Sequence, residues 1–384
     1  MAASASVSDN MIAEFRAYAR DVVAPQADEW DRTEAIPREV YADLGQRGWL
    51  AGPLESRWGG GEWSAVVFGQ FCAAIGGASM SLLSTLTVHH MAMAMIAQWG
   101  ESSLQERLLP DLAAGRKLGG FGLTEPEIGC AATEVTTKLE SVGDGFQLSG
   151  RKKWISGGLL ADGFVILGQL QEEPTAAWIE RADGGITSSL ISGMLGFRGA
   201  MNTDQEFADC PVPADAILGT NGGGFAFVFS AGLDLGRFII AWGSLGLQRA
   251  CLEAAAQRAR TRHQFGKPIA EHQLIQRHLA EMHANYRASE GLCRRAAELR
   301  DAGLPASIME TATAKYFTSK SATRLADQAV QIHGAAGCGP DLPIQRFLRD
   351  ARMTELIEGS NEMQEIMLGQ YAVSEYAPRR PRKP

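Results

Sequence analysis

The hydrophobic pattern of this chain changes its period twice, and that order of elements limits the fold more than any single motif. Residues 9 to about 118 carry apolar side chains at helical spacing, with a second long helix predicted over 82–99. From residue 119 the apolar runs become short, and strands are predicted at 134–139, 164–167, 176–179 and 186–191. After residue 224 the helical period returns over 235–256, 275–286 and 309–326. The sequence therefore predicts helices, then a sheet, then helices.

The chain of 384 residues is long enough for two or three structural units around a large core. We predict an N-terminal helical domain at 1–118, a central β domain at 119–222, a C-terminal helical bundle at 223–374 and a basic Pro-rich tail at 375–384. The first helix is expected to face the core with one apolar stripe, formed by Met11, Ile12, Phe15, Tyr18 and Val22.

Composition excludes several classes of protein. A formal net charge of -8 without a long basic face disfavours nucleic-acid binding. The six cysteines and seven histidines are scattered, so we expect reduced cysteines and no metal site, and His89 and His90 are predicted to pack inside a helix. The N-terminus lacks the pattern of a secretory signal, and the apolar stretches are interrupted before the roughly 20 residues of a membrane span. A cytoplasmic protein without a membrane segment is the resulting expectation.

A carboxylate on an apolar turn is the strongest chemical signal in the chain. Glu358 follows Leu356 and Ile357, which are predicted to dehydrate it, and precedes Gly359, where a ligand can approach the backbone. Burial raises the pKa of a glutamate toward neutrality, as proton abstraction from a weak carbon acid requires. Ser360 or Asn361 is predicted to cap the following helix. The alternative is that Glu358 is an ordinary acid at a helix N-terminus.

Three separated motifs extend this signal over almost the whole chain. They are residues 121–130 (FGLTEPEIGC), residues 262–269 (RHQFGKPI) and the block from Gln331 to Glu358 that begins QIHGAAG. In this order and spacing the chain resembles the acyl-CoA dehydrogenase flavoproteins. The resemblance implies an α+β fold with an N-terminal helical domain, a central β domain and a C-terminal four-helix bundle.

The resemblance also implies FAD as the cofactor. Its ring is expected beside the loop after residue 121 and beside Trp154, with Arg262 at the diphosphate and Gln273 and Gln331 completing the site from a neighbouring subunit. A homodimer or homotetramer is therefore implied. The full set of implied cofactor-binding residues is Phe121, Leu123, Thr124, Gly129, Cys130, Trp154, Ile155, Ser156, Arg262, Gln264, Phe265, Gln273, Gln331, Gly334, Ala335, Ser360 and Glu362. Without the family, Trp154 would be interpreted as core and Arg262 as a solvated side chain.

In the family mechanism, the residue at Glu358 removes the α-proton of an acyl thioester while a hydride leaves the β-carbon for flavin N5. The thioester carbonyl is expected at the backbone N–H of Glu358, where enolate-like charge develops. Substrate-binding positions implied by the resemblance are Cys130, Asp234, Arg237 and Gly359. Arg237 is expected to orient or tune the base, with a structural ion pair as the alternative. Some relatives carry the base at the position of Gly236, which has no carboxylate here.

Two departures from the family pattern bear on the substrate. Ile357 stands where an aromatic residue usually precedes the base, and Cys130 stands where a serine is usual. This version of the motif is similar to the branch that acts on acyl groups bound to carrier proteins, including the hydroxymalonyl and methoxymalonyl units of polyketide pathways. An acidic carrier would be repelled by the overall charge, so a local basic patch would be needed.

Several functions remain open from the sequence alone. The leading hypothesis is a dehydrogenase of a carrier-bound acyl thioester, with electron-transfer flavoprotein or oxygen as the electron acceptor. The alternatives are an ordinary short- or medium-chain acyl-CoA dehydrogenase, an oxidase or monooxygenase on the same fold, and a scaffold that has lost catalysis. Retention of Glu358 favours dehydrogenation, and a protein that fails to take up FAD would favour the scaffold.

Overall fold

The N-terminal part of the protein is helical. The computed structural model describes residues 2–377, so most of the predicted tail lies outside the described range. The helices of this part are α1 (Ala2–Tyr18), α2 (Ala24–Thr33), α3 (Arg38–Gln46), α4 (Ala65–Ala78), α5 (Met80–Trp99) and α6 (Ser102–Ala113). A π-helical segment, Ala19–Val23, joins α1 to α2. It rotates the apolar stripe, so Phe15 and Tyr18 are buried as predicted whereas Val22 is 39% exposed.

The middle of the chain forms an eight-stranded sheet. Its strands are β1 (Gly119–Gly122), β2 (Lys138–Val142), β3 (Gly145–Ile155), β4 (Gly163–Leu170), β5 (Glu173–Glu180), β6 (Ile186–Leu190), β7 (Thr203–Val212) and β8 (Ile217–Leu218). Their order is β6-β7-β3-β2-β4-β5-β8, and β1 pairs parallel with β4. The predicted strand at 134–139 begins only at Lys138. The Glu125 carboxylate accepts hydrogen bonds from the backbone N–H groups of Thr136 and Thr137, which therefore do not serve the ladder.

The C-terminal part is helical again. After a π-helical segment at Gly224–Phe229 come α7 (Ser230–Thr261), a short hairpin of β9 (His263–Gln264) and β10 (Lys267–Pro268), α8 (Gln273–Asp301), α9 (Ser307–His333), α10 (Ala335–Cys338), α11 (Ile344–Thr354) and α12 (Asn361–Tyr376). The three long helices lie side by side. Arg300 near the end of α8 binds Asp234 near the start of α7, and Gln248 of α7 donates to the Thr318 carbonyl of α9. The expected α+β fold of helices, sheet and helices is confirmed.

Helix α5 connects the three parts. Its His89 Nδ1 accepts a hydrogen bond from the Gly119 backbone N–H at the start of the sheet, at 3.0 Å. Both histidines are buried, as predicted, and burial lowers the pKa of His89 to about 3 and that of His90 to about 4. On the other side, Met91 and Met95 of α5 contact the first turns of α7. The sheet edge at β1 and the start of α7 therefore meet across one buried helix.

Two helices have the length and apolar composition of a membrane span, contrary to the expectation that polar residues would interrupt such stretches. They are Met80–Trp99 and the continuous run Gly224–Thr261. Of the most apolar window in Met80–Trp99, 89% is buried inside the protein, as in the core helix of a globular fold. The interrupting glycine, serine and histidine residues do not lower the mean hydropathy enough to change this result.

Candidate active site

The turn between α11 and α12 holds Glu358 outside any helix. Glu358 and Gly359 both adopt left-handed backbone conformations, with φ of 55° and 78°. Such a conformation costs a glutamate on the order of 1 kcal/mol or more, so it persists only where neighbouring groups fix it. Helix α12 begins at Asn361, so the alternative of an acid in the first helical turn does not describe Glu358. The Ser360 side chain occupies the cap position without accepting a helix N–H.

Three side chains hold the backbone of this turn. Lys315 Nζ donates to the Gly359 carbonyl at 2.9 Å, and Gln364 Nε2 donates to the same oxygen at 3.2 Å. Arg237 Nε donates to the Glu358 carbonyl at 3.3 Å. These donors come from α9, α12 and α7, so the turn is fixed by tertiary contacts and not by its own sequence.

The Glu358 carboxylate lies directly against α7. Its Oε2 atom is buried and has no hydrogen-bond partner among the residues from 2 to 377. A methyl group placed on Gly236 would lie 2.2 Å from Oε2 and 2.9 Å from Met91 Sδ. The prediction that Leu356 dehydrates the carboxylate is wrong, because Leu356 is 48% exposed. Ile357 packs at the edge of the core, and the α7 backbone at Gly236 excludes water from the other side of the carboxylate.

Burial sets the protonation behaviour of this carboxylate. It raises the pKa of Glu358 to about 7, against the opposing positive charges of Arg237 and Lys315. Burial likewise lowers the pKa of Arg237, although the negative charges of Glu358 and Asp234 counteract the effect. Arg237 thus interacts with the turn itself and is not confined to a structural ion pair. A glutamate with a pKa near neutrality suits proton transfer at physiological pH.

Asp234 is paired on one side only. Its Oδ2 binds Arg300 at 2.5 Å, while its Oδ1 is buried without a hydrogen-bond partner in the described part of the chain. Near the start of α7 the charges alternate in sign, in the order Arg300, Asp234, Arg237, Glu358 and Lys315. The structure thus brings the predicted residues Asp234, Arg237, Glu358 and Gly359 together, and it adds Arg300 and Lys315, which sequence reasoning missed. Lys315 could have been suspected, because it interrupts a buried stripe of small residues on α9.

The predicted flavin loop leaves the sheet beside the start of α7. The Phe121 ring at the end of β1 lies 4.8 Å from the ring of Phe229, which directly precedes α7. Lys152 fixes the next residues, since its Nζ donates to the Leu123 carbonyl at 3.0 Å and binds Glu125 at 2.8 Å. Of the other predicted residues in the loop, Thr124 is half-buried, and Gly129 and Cys130 are exposed. Leu123 and its neighbours are therefore held rigidly, whereas the tip of the loop is open.

Trp154 lies at a bulge in β3 and not in the core. The register of β3 against β7 shifts between Lys153 and Ile155, and the intervening Trp154 has a φ of 65° and is 48% exposed. A bulge turns the extra side chain away from the ladder. Ile155 is buried, and the Ser156 hydroxyl lies 3.0 Å from Ser84 Oγ. The Ser156 hydroxyl also donates to Asn202 Oδ1 at 3.1 Å. An exposed aromatic ring in a strained conformation is characteristic of a ligand contact.

The remaining predicted cofactor residues divide between two places. Ser360 and Glu362 flank the Glu358 turn, and the Ser360 hydroxyl lowers the pKa of Glu362. The others lie at the far end of the helical bundle and are all exposed; they are Arg262, Gln264, Phe265, Gln273, Gln331, Gly334 and Ala335. Burial lowers the pKa of His333 at the end of α9, and the positive charge of Arg258, near the end of α7, lowers it further. The ends of α7 and α9 therefore lie close together.

A single chain does not bring these two groups together. Arg237 lies near the start of the continuous helix α7, and Arg262, 25 residues further along the chain, directly follows its last residue. At 1.5 Å per residue their backbones are about 37 Å apart. Phe265 at the tip of the β9–β10 hairpin is 94% exposed and has a φ of 52°. In the described residues no group of three or more histidine, cysteine, aspartate or glutamate side chains could hold a metal ion.

Comparison with known proteins decides the family. Descriptions of the acyl-CoA dehydrogenase N-terminal, middle and C-terminal domains match residues 8–116, 120–210 and 222–372. The chain belongs to the acyl-CoA dehydrogenase family. It is an oxidoreductase, and the proteins of this family depend on FAD. The early resemblance and the cofactor prediction are thereby confirmed at the level of the family.

Individual relatives cover nearly the whole chain. An acyl-CoA dehydrogenase from Bacillus subtilis is 33% identical over 362 residues, which are 93% of this chain and 95% of the relative. The structure of butyryl-CoA dehydrogenase from Megasphaera elsdenii matches with a TM-score of 0.92 and 28% identity, covering 96% and 98% of the two chains. A structure titled FkbI for biosynthesis of the methoxymalonyl extender unit of the polyketide Fk520 matches with a TM-score of 0.87 and 30% identity, covering 94% and 99%.

Proposed function

We propose that this acyl-CoA dehydrogenase family member oxidises an acyl thioester and that Glu358 is the base that removes its α-proton. The observation that carries the proposal is the Glu358 carboxylate itself, which is buried, has a pKa raised to about 7 and accepts no hydrogen bond on Oε2 from the described part of the chain. Such a carboxylate can accept a proton from carbon without first giving up a strong protein contact. Arg237 holds the Glu358 carbonyl, so the side chain and the backbone N–H of the same residue are presented together.

The residues at the sheet edge fit a flavin ring. Trp154 offers an exposed flat face, the half-buried Thr124 offers a hydroxyl group, and the open space around Gly129 permits close approach. When bound, FAD supplies the two-electron acceptor for the hydride that leaves the β-carbon. The contribution of the chain is to hold the loop from Phe121 to Thr124 rigid, which Lys152 does through the Leu123 carbonyl.

We further propose that a second copy of the chain completes the cofactor site. The ring-side residues lie near the start of α7, whereas Arg262 and its neighbours lie about 37 Å away along the same helix. A guanidinium is suited to a diphosphate, and Arg262 is exposed. A homodimer or homotetramer in which the hairpin of one copy meets the ring site of another would use both groups.

For the substrate we propose a thioester carried by a protein, of the small or polar acyl type. Ile357 and Cys130 depart from the usual family residues, and the relative titled for methoxymalonyl biosynthesis covers 94% of this chain. The second candidate is an ordinary short-chain acyl-CoA, which the similarity to butyryl-CoA dehydrogenase favours. Electron-transfer flavoprotein or oxygen would then reoxidise the flavin.

Anaerobic mixing of the FAD-loaded protein with acyl thioesters tests these proposals. Butyryl-CoA and the matching butyryl thioester of an acyl carrier protein are compared while the visible flavin absorbance is followed. Bleaching by the carrier form alone supports a carrier substrate, and equal or faster bleaching by the CoA form excludes that preference.

The base assignment needs its own variants. Glu358→Gln should abolish bleaching, since an amide cannot accept the α-proton. Glu355→Gln is the matched control, because Glu355 lies in the same turn but its carboxylate binds Thr323 and Arg352. Full-rate bleaching by Glu358→Gln would remove Glu358 from the base role.

A further inference from the structure

Lys315 is a buried ammonium that forms no ion pair with residues 2–377. Its side chain on α9 is fully buried, and its Nζ donates to the Gly359 carbonyl at 2.9 Å and to Asn361 Oδ1 at 3.2 Å. Lys152 is equally buried, yet it binds the Glu125 carboxylate at 2.8 Å. Among the residues that the structure describes, Lys315 makes no comparable ion pair. Burial of a charge is costly without compensation, so a neutral side chain at position 315 would be less costly for folding than this lysine.

The two acceptors of Lys315 lie on either side of Ser360. Gly359 ends the left-handed part of the turn, and Asn361 is the first residue of α12. Ser319, one turn further along α9, also donates to Asn361 Oδ1, at 3.0 Å. Lys315 therefore fastens the Glu358 turn and the start of α12 to α9 with one group. A left-handed glutamate requires such external support.

The charge of Lys315 acts on the carboxylate as well. The charged groups that face Lys315 are Glu358, Arg237 of α7, Glu355 at the end of α11 and Glu362 of α12. Burial lowers the pKa of Lys315 to about 8, and Glu358 is the largest influence in the opposite direction. Near neutral pH the ammonium is therefore present beside a carboxylate that burial would otherwise keep protonated.

We propose that Lys315 is a positioning residue of this active site: it clamps the Glu358–Gly359 turn and, together with Arg237, supplies positive charge that favours the ionised base. The proposal rests on the proposed role of Glu358 as the base. It assigns Lys315 two separable effects, one on geometry through the Gly359 carbonyl and one on charge.

Two substitutions separate these effects. Lys315→Met keeps a similar length but removes both the charge and the hydrogen bonds, whereas Lys315→Gln removes the charge and keeps a hydrogen-bond donor on a side chain that is one atom shorter. Ser319→Ala is the matched control, because Ser319 shares the Asn361 acceptor and is buried on the same helix without carrying charge. The measurement is the rate of anaerobic flavin reduction by saturating butyryl-CoA, or by the carrier thioester if only that form reacts, between pH 5.5 and 9.

The expected result is an upward shift of the acid limb of the rate profile by on the order of one pH unit in Lys315→Met and Lys315→Gln. Lys315→Met should also be slower on the alkaline plateau, and Ser319→Ala should keep the limb of the unmodified protein. An unmoved limb in Lys315→Gln overturns the charge effect. If Lys315→Met does not fold, Lys315→Gln alone decides. Glu358→Gln is measured in the same experiment. Full activity of Glu358→Gln refutes the assignment of Glu358 as the base. If Glu358→Gln is inactive and the acid limb of Lys315→Gln is unmoved, only the proposed role of Lys315 is refuted.

Discussion

Gly236 is the position at which the smallest change should most directly perturb Glu358, the proposed base. A Cβ atom there would lie 2.2 Å from Glu358 Oε2 and 2.9 Å from Met91 Sδ. Gly236 is buried inside α7, where alanine is a better helix former than glycine. The Gly236→Ala protein should therefore fold, and the methyl group should displace the carboxylate from its place against the helix.

The size of the effect follows from this distance. An ordinary contact of 3.4 Å requires the carboxylate to retreat by at least 1.2 Å, the difference between 3.4 and 2.2 Å. A misplacement of about 1 Å at a reacting group costs on the order of 100-fold in rate. This corresponds to about 2.7 kcal/mol in the activation free energy. The loss should appear in the rate of flavin reduction at saturating thioester, because the base and not the binding of the substrate is displaced.

The assay is single-turnover flavin reduction under anaerobic conditions with Gly236→Ala and a matched glycine variant. Gly291→Ala provides the match, because Gly291 lies within α8 and, apart from the adjoining backbone of its own helix, no atom of residues 2–377 lies within 4 Å of the added methyl group. That variant should be stabilised by up to about 1 kcal/mol without a change in rate. A Gly236→Ala rate within threefold of the unmodified protein would refute the argument that the α7 backbone sets the position of the base.

Three further results are expected. Burial raises the pKa of Glu358 from 4.5 to about 7 in the folded state. The protonated carboxyl therefore stabilises the folded protein fully below pH 4.5, the pKa of the unfolded chain, and this stabilisation is lost as the pH rises through 7. Chemical denaturation should therefore show Glu358→Gln equal to the unmodified protein at pH 4.5 and more stable by about 3 kcal/mol at pH 8. Lys152→Met should lower the unfolding free energy by ~3 kcal/mol, since it leaves the Glu125 carboxylate buried and unpaired. Arg262→Ala should weaken FAD binding in equilibrium titrations without altering the Glu358-dependent pH limb.

Much of the fold could be predicted from the sequence because its elements are long and periodic. The helices predicted at 82–99, 235–256 and 309–326 all lie within observed helices, and the strands at 164–167 and 176–179 lie within β4 and β5. The errors arise where a distant side chain or a backbone irregularity intervenes. The start of β2 is moved because Glu125 takes the backbone donors of Thr136 and Thr137, and Val22 faces solvent because a π-helical turn rotates the stripe.

The candidate site shows the same division between local and distant causes. Glu358 and its burial could be predicted from its own motif, but the group that covers it could not, since Leu356 is exposed and the covering surface is the backbone of α7 at Gly236. Lys315 is 43 residues away in sequence and belongs to no motif that suggested chemistry. Its importance becomes visible only when α9 is placed beside the turn. The sequence therefore indicates the proposed base more readily than the residues that would tune it.

Helix α7 relates the chemistry of the site to assembly of the protein. Its first turns carry Asp234, Gly236 and Arg237 against the base, and its last residue leads directly into Arg262 and the exposed hairpin. The helix thus begins beside the proposed base and the ring-side half of the proposed cofactor site, and it ends at Arg262 and the hairpin, which form the other half. Its length keeps the two halves apart within a chain. A cofactor that contacts both halves must bridge two copies, so each bound FAD stabilises the assembly that binds it. Under the proposed arrangement, a change that weakens the oligomer therefore also weakens FAD binding, and the reverse holds.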